Sequence, residues 1–193
     1  MSEEKSSPFP QVRRKERESS NEEALKLLST QNYGVLSLCG ANGYGYGVPM
    51  NYAFDGHNSL YFHCASEGFK IDSLRLNNKV SFCVIGEHEV NFKSLTTSYS
   101  SVIAFGILEE LISAEDKRKG LSCFIESVVS ELPEKAKTSM LTNSLQKVTI
   151  LRLNIEHLTM KAHIIKPKAD EDSKEEDNLT LESFMKKNEK DES

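Results

Sequence analysis

From Leu60 to Lys70 the chain reads LYFHCASEGFK, and this short stretch gathers the side chains best suited to chemistry. His63 can exchange a proton near neutral pH. Gly68 allows close backbone approach to a ligand, and Lys70 adds a positive charge just after it. A helical pattern, FKIDSLRL, begins at the same point. Backbone N–H groups and the dipole at such a start favour an anion, above all a phosphate. In a strand, Leu60, Phe62 and Cys64 share one face while Tyr61, His63 and Ala65 share the other. His63 is then either a sheet histidine held by its neighbours or a polar group turned toward a ligand. Lys70 is either a solvated lysine or the partner of an anion.

The remaining candidates are weaker. TTSYSS, Thr96 to Ser101, is a hydroxyl-rich entry into a strand that also suits an ordinary surface loop. VRRKERE, Val12 to Glu18, is a charge run of the kind that water usually solvates. His57 in a turn and His88 in a loop are expected to face solvent, and His157 near the end of the last strand pattern is left open. The sequence contains no GxSxG elbow, HExxH helix, GxGxxG turn or Walker loop. Any catalysis would therefore lean on a cofactor. Cys39, Cys64, Cys83 and Cys123 are widely spaced with no CxxC pair, so reduced thiols are expected and no zinc site is read. Three of them, Cys39, Cys83 and Cys123, lie in apolar patterns where cysteine acts as a small hydrophobe.

The elements that must position these residues follow from periodicity and turn chemistry. SSNEEALKLLSTQ opens with an N-cap serine or asparagine and early glutamates, and predicts a helix. YGVLSLCG predicts a strand, ANG a tight turn, and YGYGVPMNYAF a strand with three glycines at its start, counting Gly43. Glycines there mark a bend or the approach of a ligand. SLYFHCA is the next strand, SEGFKIDSLRLNN a short helix and KVSFCVIG a buried strand. EHEVNFKSLTTSYS is expected as a polar loop before the long strand SVIAFGILEELI. Two helices follow, the first weakened by Gly120, and KVTILRLNIEHLTMKAHII supplies one or two closing strands. Five or six strands in tight hairpins predict a mostly β fold with peripheral helices. Closure into a small antiparallel barrel removes exposed edges.

At 193 residues and net charge −5, the chain is expected to hold one domain with tails. Residues 1–18 read as a flexible arm, 19–165 as the domain and 166–193 as an acidic tail lacking its own core. From Asp170 onward ten acidic residues face four lysines. The rest is nearly neutral, which argues against nucleic acid as a partner. No apolar run approaches the roughly 18 residues of a membrane span. With a polar, charged Met1–Ser20 segment, a cytoplasmic location without membrane partners is expected.

Seven segments together resemble a known family. VRRKERE, YGVLSL, GYGYGVPMNYAFDG, LYFHCASEGFKID, VSFCVIG, TTSYSSVIAFG and IEHLTMKA occur in that order over about residues 12–163. They resemble the FMN-binding split-barrel proteins related to pyridoxamine 5′-phosphate oxidase, in the nitroimidazole-resistance reductase-like branch. The resemblance implies a six-stranded split β-barrel and a homodimer with FMN at the subunit interface. It implies an oxidoreductase drawing electrons from NAD(P)H for a nitro compound or similar small-molecule acceptor. The alternative it leaves is a non-catalytic flavin- or haem-binding module. By the same resemblance, Val48, Pro49, Met50 and Asn51 run beside the flavin ring, while His63, Cys64 and Ala65 meet the ribityl chain and ring edge. Gly68, Phe69 and Lys70 take the phosphate. Thr97, Tyr99 and Ser101 contribute hydroxyls, to this subunit's flavin or to the partner subunit's, and Arg13 and Arg14 close over the phosphate or support the dimer. His63 is the candidate for proton donation or substrate contact, and no metal is implied. Two positions depart from the pattern: Phe69 replaces a histidine that would hold phosphate, and Met160 replaces a glycine and is expected to reshape a pocket wall.

Overall fold

The computed structural model describes residues 7–92 and 95–165. The acidic tail read from the sequence lies outside the described residues. Asn21–Thr30 forms helix α1, opened by a full capping box in which Ser20 and Glu23 satisfy each other's backbone N–H groups. Strands β1 (Tyr33–Cys39), β2 (Gly45–Asn51), β3 (Ala53–Phe54) and β4 (Ser59–Cys64) follow, then helix α2 (Phe69–Leu76). Strands β5 (Lys79–Asn91) and β6 (Thr96–Glu110), helices α3 (Ala114–Val128) and α4 (Glu134–Ser144), and strand β7 (Thr149–His163) complete the fold.

One antiparallel sheet runs in the order β2-β1-β5-β6-β7-β4-β3. β2 and β3 are its two ends, yet only Tyr52 separates them in the chain. The two edges must therefore meet at that residue, and the sheet curls into the expected split barrel. There are seven strands rather than six because Tyr52 divides the predicted YGYGVPMNYAF strand. Its N–H donates to the Asn32 carbonyl (2.9 Å) and its buried hydroxyl to the Leu28 carbonyl at the end of α1 (2.9 Å). Burial alone pushes the phenol pKa up. Tyr52→Phe should cost about 1 kcal/mol in denaturant unfolding by orphaning that carbonyl. A loss below roughly 0.3 kcal/mol would mean water replaces the bond.

Inside the curl, Leu36, Leu60, Phe62, Phe82, Val84, Leu108, Leu151 and Leu153 pack with Met50 and Tyr52. Tyr52 and Phe62 both meet Phe82 edge to face. A second cluster, including Tyr61, Leu121, Ile125 and Ile150, joins α3 to the other side of the sheet. Gly120 weakens α3 in sequence terms but admits the helix. A Cβ there would stand 2.8 Å from both Ile150 and Tyr61.

The segment expected as a polar loop is mostly hairpin: β5 continues through Asn91 and pairs with β6 from Thr96. Its side chains are largely exposed, so it leaves no hydrophobic signature. The closing strand is one long β7 with a bulge opposite Phe105 and Gly106. Residues 7–18 have no core of their own and lie on the outer face of the sheet. Val12 is buried, Glu18 bridges to Lys161, and the Ser19 N–H donates to the Met160 carbonyl. No helix among the described residues is long and apolar enough to cross a membrane.

Candidate functional site

The end of β4 and the start of α2 meet β2 at one end of the barrel. Gly68 has φ 113°, a conformation that side chains other than hydrogen rarely adopt, and it turns the chain into α2. Its carbonyl accepts from the Ile71 N–H (2.8 Å) and the Asp72 N–H (3.1 Å). Ser73, fully buried, fixes this start to the turn after β1. Its hydroxyl donates to the Phe69 carbonyl (2.7 Å) and accepts from the Ala41 N–H (3.0 Å).

Lys70 reaches from this anchored turn to two sulfurs. Its Nζ stands 3.7 Å from Met50 Sδ and hydrogen-bonds the Cys64 thiol. Among the described residues no carboxylate forms an ion pair with it. A half-buried ammonium whose direct contacts are soft and neutral is incompletely compensated, and an anion would complete it. Burial pushes the Cys64 thiol pKa up, Lys70 opposes that rise, and Glu110 adds to it.

His63 packs edge to face on Phe124, with ring centres 4.6 Å apart. Desolvation first, and the Lys70 charge second, hold its pKa below the ordinary histidine value. At neutral pH its imidazole is therefore uncharged and hydrogen-bonds as a neutral ring. Folded His63 resists a proton that the unfolded chain accepts, so its contribution to stability is present above about pH 6.5 and is lost as pH falls below that value through the lower folded pKa. An NMR titration should place His63 below that value, with Lys70→Met raising it only part of the way. Full recovery would mean that charge, not burial, sets the shift.

The β2 residues divide between two faces. Val48 packs toward the core and Met50 is buried in it. The outer face carries Gly45, Gly47, Pro49 and Asn51, all exposed. A Cβ at Gly45 would meet nothing within 4 Å, and one at Gly47 only the Val35 methyl at 3.3 Å. This bare strip is a cradle for a flat group. Of the four β2 residues expected beside a ring, Pro49 and Asn51 face outward while Val48 and Met50 support from behind. Gly45 and Gly47 were noted in the sequence only as a glycine-rich start. The signal that singles them out is alternation counted back from buried Met50.

Phe69, the first residue of α2, meets Tyr46 edge to face at 5.0 Å. It supplies an apolar clamp where the family pattern has a histidine. Met160 is buried in the main core. Ala65 lies exposed in the turn after β4.

The other expected site residues lie elsewhere in the chain. Cys64 pairs with Thr149 at the start of β7, whereas Ser101 pairs with Lys161, twelve residues further along the same strand. That is roughly 40 Å of strand. Tyr99 and Thr97 lie beyond Ser101 on β6, and residues 10–12 pack beside Ser101 just before exposed Arg13 and Arg14. A single chain thus brings together His63, Cys64, Ala65, Gly68, Phe69 and Lys70 with β2. It does not bring Arg13, Arg14, Thr97, Tyr99 or Ser101 to them. The described residues contain no group of three metal-ligating side chains.

Residues 20–162 match the family model described as pyridoxamine 5′-phosphate oxidase. The chain belongs to that family. Among solved structures similar to this family member is a protein of Bacteroides thetaiotaomicron VPI-5482 assigned to 5-nitroimidazole antibiotic resistance. It is 20% identical, with 74% of this chain and 84% of that chain covered and a TM-score of 0.62. An FAD-binding protein of Mesorhizobium loti is 22% identical, with 76% and 97% covered and a TM-score of 0.55. The FAD and haem binding protein of Mycobacterium smegmatis is 19% identical, with 80% and 77% covered and a TM-score of 0.63. At these identities the likeness speaks for the shared split-barrel fold. No curated protein matches the chain.

Proposed function

We propose that this oxidase-family protein holds a flavin nucleotide, FMN in its minimal form, and acts as an NAD(P)H-dependent oxidoreductase on nitro compounds or similar acceptors. The observation that carries the reading is the half-buried Lys70 ammonium, anchored beside Gly68 with no ion-paired carboxylate among the described residues. A phosphate there completes its charge, and the bare Gly45–Gly47 strip of β2 gives a flat ring somewhere to lie. Structural neighbours that include FAD-binding proteins support the same class of cofactor. When bound, the flavin supplies two-electron exchange between the nicotinamide donor and the acceptor. The chain's own residues do the rest. Lys70 and the Gly68 turn would hold the phosphate, Pro49 and Asn51 would flank the ring, and His63, neutral at rest, would take a proton from solvent and relay it to the acceptor side.

The distance between the two sets of expected residues supports a homodimer. A second copy can bring its Thr97, Tyr99, Ser101, Arg13 and Arg14 to the Lys70 end, which one chain cannot. Sedimentation of the purified protein should give twice the chain mass.

The absorbance spectrum tests the cofactor. We expect flavin bands that NADPH bleaches and a nitroaromatic restores. A colourless protein that ignores added FMN overturns the reading, and a Soret band replaces it with the haem-binding alternative.

A further inference from the structure

A single row of residues crosses the outer face of the sheet. Gly47 on β2 pairs with Ser37 on β1, Ser37 with Ser81 on β5, Ser81 with Phe105 on β6, and Phe105 with His157 on β7. Paired residues share a face, so these five residues line one transverse path roughly 19 Å long. The path begins on the bare glycine strip, runs over two serines, and ends at an aromatic wall.

That wall is built from two directions. Phe9, on the N-terminal segment, stacks on the His157 imidazole with ring centres 4.8 Å apart and planes 8° from parallel. It also lies 5.8 Å from Phe105. Between this wall and the serine floor is a cavity of about 620 Å³ lined by Phe9, Ser37, Ser81 and Phe105. Its volume is in the range of small-molecule sites. Lys79 and Glu156 line it with opposite charges. Glu156 reaches it because it is the extra residue of the β7 bulge: Phe105 pairs with His157 and Gly106 with Ile155, leaving Glu156 without a counterpart.

We propose that this trough binds a neutral, flat, one- or two-ring aromatic molecule, stacked against the Phe9 and Phe105 wall over the serine floor. The stacked wall selects a planar ligand, and the two opposite charges favour one without net charge. Because the row starts at Gly47, the ligand lies beside the flavin cradle. Its role as the acceptor subsite rests on the flavin reading above, whereas the binding itself does not.

The test uses full-length protein and 4-nitrobenzamide, a neutral flat probe, titrated by calorimetry with and without added FMN. Wild-type protein should bind one probe per chain. Phe9→Ala should weaken probe binding about tenfold by removing a stacked ring. Ser81→Trp, on an outward-facing strand position, should abolish it by filling the floor. Both variants should keep wild-type FMN affinity. Probe binding with these losses in a protein that takes no FMN sustains the trough while the flavin reading falls. FMN binding with no saturable probe binding, or with probe affinity unchanged in both variants, overturns the trough alone. A dimer whose second copy fills the trough would also bind no probe, and that outcome overturns it too.

Discussion

Lys70→Met will weaken FMN binding about 100-fold while leaving riboflavin, which lacks the phosphate, within about twofold. The loss corresponds to roughly 2.7 kcal/mol, the upper range for a hydrogen-bonded charged group. Methionine keeps the length and packing of the stem, and the neighbours it meets are Met50 and the Cys64 thiol, so the fold does not depend on the charge. What disappears is the cation held beside Gly68 by the buried Ser73 anchor. Fluorescence titration with both flavins separates the roles. Equal losses for FMN and riboflavin would place Lys70 on the ring and move the phosphate elsewhere. Raised salt should erode the wild-type preference for FMN, because Lys70 is only half buried and salt screens partly exposed charges.

Gly106→Ala will destabilise the protein by about 3 kcal/mol. A Cβ at Gly106 would collide with the Asn154 carbonyl oxygen, which belongs to backbone and cannot rotate aside. The residue sits where β6 crosses the β7 bulge, between Val80 on one side and Ile155 on the other. Relief would require β6 and β7 to separate at the point where the longest pair of strands is joined. Denaturant unfolding reads the effect directly. A loss under about 1 kcal/mol would mean that the bulge can migrate along β7. In that case Glu156 would turn away from the trough and probe binding would change with it.

Local chemistry made much of this legible in advance. The N-cap serine or asparagine and the early glutamates announced α1, and alternation around Leu60 and Phe62 assigned the faces of β4. Lys70 and Gly68 stood out because charge, turn and helix start coincide within three residues. What stayed hidden depended on partners distant in sequence. Tyr52 reads as one more strand residue until Leu28 is known to accept its hydroxyl. The exposed end of the β5–β6 hairpin satisfies its backbone by pairing without burying side chains, so its sequence reads as a loop. The separation of Ser101 from Cys64 is a matter of register along β7, which no local pattern encodes. Phe9, in a stretch read as an uncommitted arm, acquires its place only from His157.

The pairing of β4 with β7 has a consequence for how the protein is made. Cys64, beside His63 and Lys70, meets Thr149 only after most of the described chain has been synthesised. A ribosome-bound chain that has released β1 to β4 has the glycine strip and Cys64 but not the strand with which β4 pairs. Loading with any ligand at the Lys70 end therefore follows translation of β7. Pulse-labelled nascent chains halted before Thr149 would not retain it.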